Sequence, residues 1–252
     1  MITVKFPDEE GGREAWLNWR LTRVTGTRAG GIGLSKTGIP KIGNYRLIAE
    51  SWIGSQALLD EDMEPIAAMR RGTLLEKESI ARYRKETGRK VDDSLLGWQR
   101  EDDPRVAFSP DGVVGKIGAV ETKSLAAARH IEAFITKKIP TEYWPQARQA
   151  FVTNDSLRWL DFVFYDPRFP EGLDFFYITI KRKDIKEDVD AALEEQRASL
   201  KWVREKVNEL TQYVKVKPQE NAVHADAVVV EDEPVDDLSH VYAGIKARSL
   251  EV

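Results

Sequence analysis

The sequence predicts a mixed α/β fold in which a sheet is covered by helices. Three observations carry this expectation. Short apolar runs broken by Gly, Pro and Asp lie between residues 106 and 123 in a hairpin pattern. The run Phe162-Val163-Phe164, inside the strand-like stretch Leu157–Tyr165, is apolar on both faces, which suits a strand buried on both sides. Two long segments, Pro65–Thr87 and Lys186–Val214, carry the 3- and 4-residue apolar spacing of helices that lie on a sheet.

Taken in order, Gly12–Arg20 reads as a short helix anchored by Trp16, Leu17 and Trp19. The Thr- and Gly-rich stretch after it suggests a turn that starts another helix near Thr25 or Thr27. Lys36 to Gly43 is a basic, Gly-containing loop. Asn44–Gln56 is a helix whose inner stripe is Tyr45, Ile48, Ala49 and Trp52. Pro65 opens the first long helix and Gly88 closes it. Its stripe of Met69, Thr73, Glu76, Ile80 and Tyr83 places Glu76 toward the core and leaves Glu78 at the surface. Strands at Val106–Phe108, Val113–Val114 and Ala119–Lys123 form the hairpin. Leu125–Lys138 is helical, with Arg129, His130, Lys137 and Lys138 on a solvated face. Pro145 begins a helix to Val152, where Gln146 and Gln149 face water. The strands Leu157–Tyr165 and Leu173–Lys181 precede the second long helix, whose stripe runs Val189, Leu193, Gln196, Leu200, Val203, Val207 and Leu210.

Composition narrows the classes. The chain has 252 residues and no cysteine, which excludes disulfides and thiolate metal sites and fits a reducing cytoplasm. No apolar run reaches the length of a membrane span, and the start, Met-Ile-Thr-Val-Lys-Phe-Pro, lacks the apolar centre of a signal peptide. A cytoplasmic protein is expected. The net charge of −4 is unevenly placed. Residues 218–252 carry eight acids and two bases, net −6, which leaves residues 1–217 at +2. The mildly basic body permits phosphate binding. Residues 1–214 therefore read as one domain and 215–252 as a flexible acidic tail with a final helix near Val241–Arg248.

The chemistry concentrates between Ser109 and Lys123. Asp111 stands in a Pro-Asp-Gly turn, and Glu121-Thr122-Lys123 ends an apolar strand. Alternation puts Glu121 and Lys123 on one face, and the hairpin brings Asp111 back beside Glu121. Two carboxylates and an ammonium on one patch suit a hard cation with room for a phosphate. The same residues also suit a solvated turn and a surface ion pair. Glu76 adds a carboxylate on an inward stripe, which is costly unless paired or metal-bound. Arg20 and Arg23, with nearby hydroxyls, suit either phosphate contact or a solvated face.

Five segments in order resemble the phage lambda exonuclease, or YqaJ-like viral recombinase, family of PD-(D/E)xK nucleases. They are Arg-Gly-Thr-Leu-Leu-Glu-Lys-Glu-Ser (71–79), Ser-Pro-Asp-Gly (109–112), Glu-Thr-Lys (121–123), Tyr-Trp-Pro-Gln-Ala-Arg-Gln (143–149) and Tyr-Asp-Pro-Arg (165–168). Trp16 to Thr27 is similar to the family's amino-terminal segment, and the likeness spans roughly residues 14–212.

The resemblance implies a central mixed sheet flanked by helices, with a restriction-endonuclease-like core. It implies a magnesium-dependent exonuclease, with manganese as a substitute, that digests one strand of duplex DNA from the 5′ end and leaves 3′ overhangs. Asp111, Glu121 and the carbonyl of Thr122 become metal ligands, Glu76 the carboxylate near a second ion, Lys123 the residue that orients water, and Gln146 a neighbour of the site. Arg20 and Thr27 match an Arg and a Ser that hold the terminal 5′ phosphate; Thr27 departs from Ser but keeps the hydroxyl. Thr122 departs from the usual Leu, Ile or Val. The family also implies a homotrimer around DNA, a single-strand annealing partner and action in the bacterial host cytoplasm. An endonuclease on the same fold, or a catalytically silent DNA-binding protein, are the rival readings.

Overall fold

The computed structural model describes residues 1–7, 11–35, 38–61, 67–214 and 228–230. Pro65 as a helix opener, Lys36 and Thr37 of the basic loop, and the helix expected at 241–248 lie outside these residues.

Two four-stranded sheets form the frame. One is antiparallel, in the order β3-β2-β1-β8, from β1 (Ile2–Lys5), β2 (Leu96–Gln99), β3 (Ala107–Phe108) and β8 (Val228–Val230). The other is mixed, in the order β4-β5-β6-β7, from β4 (Gly112–Val114), β5 (Gly118–Lys123), β6 (Trp159–Tyr165) and β7 (Phe175–Lys181). Its only parallel pair is β5 with β6, with Glu121 opposite Phe162 and Lys123 opposite Phe164. A parallel pair needs a long crossover. Here α4 (Ala127–Thr136) and α5 (Trp144–Thr153) supply it.

A second, antiparallel sheet accompanies the expected mixed one, and one expectation is corrected: Val106–Phe108 is no part of the hairpin. Phe108 pairs with Trp98, so the hairpin is β4 with β5 alone, in the register Gly112–Val120, Val113–Ala119 and Val114–Gly118. Short strands at both ends of the chain, β1 and β8, complete the first sheet.

The central strand β6 is buried on both faces. Leu160, Phe162, Val163 and Phe164 are all fully inaccessible, as continuous apolarity requires. Its apolar residues meet Phe151 of α5 and Leu200 of α6 (Lys186–Leu210). On the opposite face Val163 joins Ile80 and Tyr83 of α3 (Ala67–Thr87). Gly88 ends α3 with a φ of 69°, a left-handed conformation that glycine adopts without steric cost.

Helix phase departs from the sequence reading at three places. In α2 (Ile42–Ile53) the buried residues are Asn44, Leu47, Ile48 and Glu50, whereas Tyr45 and Ala49 face outward. Gln149 is buried. Its amide donates to the carbonyls of Val24 and Ala107, and it exchanges hydrogen bonds with the buried Gln196. His130 is also buried, bonded to the Leu173 carbonyl at 2.8 Å and stacked on Phe169. In each case the apolar pattern is helical, but a polar side chain with an internal partner takes an inward position.

Candidate active site

The site begins at the open end of the β4–β5 hairpin. The ladder stops at Gly112 and Val120. The next inward N–H on β5, that of Thr122, has no strand opposite it. Asp111 Oδ2 accepts that N–H at 2.6 Å and the Thr122 hydroxyl at 3.1 Å. The turn is fixed by close approach: a Cβ on Gly112 would lie 2.5 Å from Val91 Cγ1. The Pro-Asp-Gly sequence thus aims Asp111 along the edge of β5.

Glu121 points into the protein and is 1% exposed. Its Oε1 accepts the Lys123 ammonium at 2.6 Å and the Gln146 amide. Its Oε2 is buried with no hydrogen-bond partner. Burial, followed by repulsion from Asp111, pushes the Glu121 carboxyl up to about 8. Asp111 is raised as well, mainly by burial. Burial alone would lower Lys123, but Glu121 and Asp111 outweigh it and raise the ammonium, which stays charged. Tyr143 and Phe162 place their rings 5.8 and 5.9 Å from that ammonium.

Glu76 stands across a shallow cleft. Gly72, Glu76 and Ser79 of α3 form one wall, and Thr122, Lys123 and Tyr165 form the other. Much of the Glu76 side chain is open to solvent, so it is not in the core as its stripe suggested. The cleft still desolvates its carboxylate, and Asp111 repels it, which together raise it to about 7. Arg71 ties α3 to the end of β5 by donating to the Leu125 carbonyl at 2.7 Å.

Arg20 and Thr27 meet: the guanidinium donates to the hydroxyl at 2.7 Å. Arg20 stacks on the Trp16 ring at 4.4 Å, and Trp16 donates to Ser109 Oγ at 3.0 Å. Through Ser109 the arginine is thus tied to the loop that carries Asp111. Burial and then the nearby Arg28, Arg46 and Arg13 lower Arg20 to about 10, while Glu121 raises it. Arg20 has no carboxylate partner among the described residues. Arg23, the other phosphate candidate, is excluded from the pocket. It is buried and bonded to the carbonyls of Trp19 and Pro104.

The donor set suits a hard divalent cation. All its atoms are oxygens, two carboxylates repel each other, and one buried carboxylate oxygen lacks a partner. Among the described residues no three acidic or histidine side chains converge as a ready-made cage. A magnesium ion held by one or two carboxylates, with water and substrate phosphate completing its shell, needs no such cage.

Fold and site together define a nuclease of the PD-(D/E)xK type. The YqaJ-like viral recombinase domain matches residues 15–156, and the chain belongs to that family. Among solved structures it is similar to an alkaline exonuclease, LHK-Exo, from Laribacter hongkongensis, with 32% identity and a TM-score of 0.57 over 78% of this chain and 99% of that one. The structure of LHK-Exo in complex with dAMP matches with 31% identity and a TM-score of 0.58, over the same shares of the two chains. No curated protein matches the chain. Family membership carries a nuclease role, and among the described residues no helix is long and apolar enough to cross a membrane.

Proposed function

We propose that the chain is a metal-dependent exonuclease that degrades one strand of duplex DNA from its 5′ end and leaves 3′ single-stranded overhangs for phage-type recombination. The observation that carries this reading is the Glu121 carboxylate, buried with one oxygen held by Lys123 and Gln146 and the other unpartnered. The likeness to an alkaline exonuclease, solved also with the mononucleotide dAMP, suits a product released one nucleotide at a time.

Asp111, Glu121 and the Thr122 carbonyl would hold magnesium or manganese, and Glu76 would serve a second ion. A bound ion supplies charge neutralisation at the phosphate and an acidified water. The protein's own residues do the rest. Lys123 orients the attacking water and stabilises charge gained by the phosphate oxygens. Gln146 holds Glu121 in place by its amide. Arg20 and Thr27 receive the terminal 5′ phosphate, the guanidinium as a charge-assisted donor and the hydroxyl as a second donor. That contact sets which end of the strand enters the site.

A ring of three copies enclosing DNA, and a single-strand annealing protein as partner, belong to this reading by family likeness. The test is digestion of linear duplex labelled at either end, with magnesium or with chelator, beside a covalently closed circle. Magnesium-dependent loss from the 5′ ends, with the circle spared, is expected. Cutting of the circle would favour the endonuclease reading. No digestion with any divalent metal would favour the silent DNA-binding protein.

A further inference from the structure

A second carboxylate, away from the cation donors, is buried among the arginines around Arg20. Glu50 on α2 is 1% exposed. Both its oxygens are saturated: Arg28 Nη2 and Arg46 Nε reach Oε1, each at 3.0 Å, and the Thr22 N–H and Arg28 Nη1 reach Oε2 at 2.6 and 3.1 Å. Arg28 Nη1 also donates to the Arg20 carbonyl at 2.8 Å.

Thr22 has a φ of 58°, a left-handed conformation that a β-branched residue adopts only under constraint. This residue lies in the turn between Arg20 and Thr27, the two side chains that meet at 2.7 Å. One carboxylate therefore fastens the strained residue directly and, through Arg28, the backbone of Arg20. It also engages two of the three guanidiniums whose charge depresses Arg20. A buried carboxylate is costly unless it is fully paired. Here the pairing is complete: Thr22 and Arg28 bear on the same turn, and Arg46 pairs from within α2.

We propose that Glu50 is a positioning residue for terminal-phosphate recognition. It clamps the turn that brings Arg20 and Thr27 together, and it holds Arg28 and Arg46 back from the ligand so that recognition falls to Arg20. This inference rests on the reading of Arg20 and Thr27 as the phosphate pocket. Without Glu50 the turn relaxes, and Arg28 and Arg46 lose the carboxylate that draws them away from the phosphates of the backbone. Duplex with a 5′ hydroxyl then binds by added nonspecific contacts, and discrimination between the two ends declines.

The test compares Glu50→Gln, which keeps size but removes the charge, with Arg28→Lys, which keeps the charge but cannot span Glu50 and the Arg20 carbonyl together. Both are measured beside the wild type and Arg20→Ala. The first readout is the ratio of kcat/KM on 5′-phosphorylated and 5′-hydroxyl linear duplex. The second is the salt dependence of binding to hydroxyl-ended duplex in chelator. We expect the ratio to fall by about tenfold in both variants, the scale of one lost charge-assisted hydrogen bond. In Glu50→Gln we expect the slope of log affinity against log salt to steepen by about one for each arginine that finds a phosphate. A residue that merely stabilised the fold would leave that slope unchanged. If Glu50→Gln does not fold cooperatively, the ratio in Arg28→Lys decides. An unchanged ratio in the folded variants, with a reduced ratio in Arg20→Ala, overturns the role of Glu50 alone. An unchanged ratio in Arg20→Ala overturns the phosphate pocket itself.

Discussion

Replacing Glu121 by glutamine should make the metal-free protein more stable while destroying its activity. The amide keeps an oxygen for Lys123 and Gln146 to bond, but carries no charge. In the wild type the Glu121 carboxyl is moved from 4.5 to about 8, first by burial and then by Asp111. Each tenfold change in proton affinity is worth about 1.4 kcal/mol, so the ionised form is disfavoured in the folded chain by about 5 kcal/mol. Asp111 and Glu76 share this repulsion and relax with it, which reduces the expected gain at pH 8 to about 2–3 kcal/mol. The sign follows from proton binding. Between 4.5 and about 8 the folded chain keeps a proton that the unfolded chain has released. Stability of the metal-free wild type therefore falls as pH rises through that window. The assay is thermal unfolding followed by circular dichroism in chelator, at pH 8 and pH 5.5. Glu121→Gln should melt about 5–10 °C above wild type at pH 8. At pH 5.5, where the folded wild type is already protonated, the gain should shrink below about 1 kcal/mol. Magnesium should then raise the melting temperature of the wild type and leave the variant unmoved. A variant that melts lower than wild type in chelator at pH 8, or a difference that does not change with pH, would show that the carboxylate is not under electrostatic strain.

Other outcomes follow from the same geometry. Asp111→Ala and Lys123→Ala should each lower hydrolysis by more than about a hundredfold, with circular dichroism spectra unchanged, because they remove a cation donor and the charge beside the attacked phosphate; wild-type rates in either would remove it from the site. Glu76→Gln should raise the magnesium concentration needed for half-maximal digestion, whereas Glu78→Gln, on the exposed side of α3, should not; the reverse would invert the assignment of the cleft wall. Gln149→Ala should cost about 2–3 kcal/mol in denaturant unfolding, because it strips the buried Gln196 amide of its partner and takes a donor from the Ala107 carbonyl, while Val24 keeps the Ala107 N–H; a change under about 0.5 kcal/mol would mean that those groups find other partners.

The sequence by itself determined the main helices and the strands of the mixed sheet, but not β1, β2 or β8. Apolar period set α1 (Gly12–Arg20), α3 and α6 close to their observed spans. Period-2 alternation and the turn between Val114 and Gly118 bring Asp111, at the open end of the hairpin, back toward Glu121 and Thr122, because a hairpin is a local structure whose register follows from its turn. The order of these motifs sufficed for the family.

Long-range pairing decided the remainder. Nothing local joins Val228–Val230 to β1, or separates Phe108 from the hairpin it adjoins, because strand partners are chosen by the whole packed fold. The burial of polar residues has the same origin. Gln149, His130 and Arg23 look like surface groups until a partner from a distant segment satisfies them inside. Glu50 shows the point at its sharpest. Its spacing from Arg46 is that of an ordinary i, i+4 helical pair, and the approach of Thr22 and Arg28 from another segment is what buries it. Periodicity reports which face of an element is apolar, whereas the partner that meets a buried charge is supplied by tertiary structure alone.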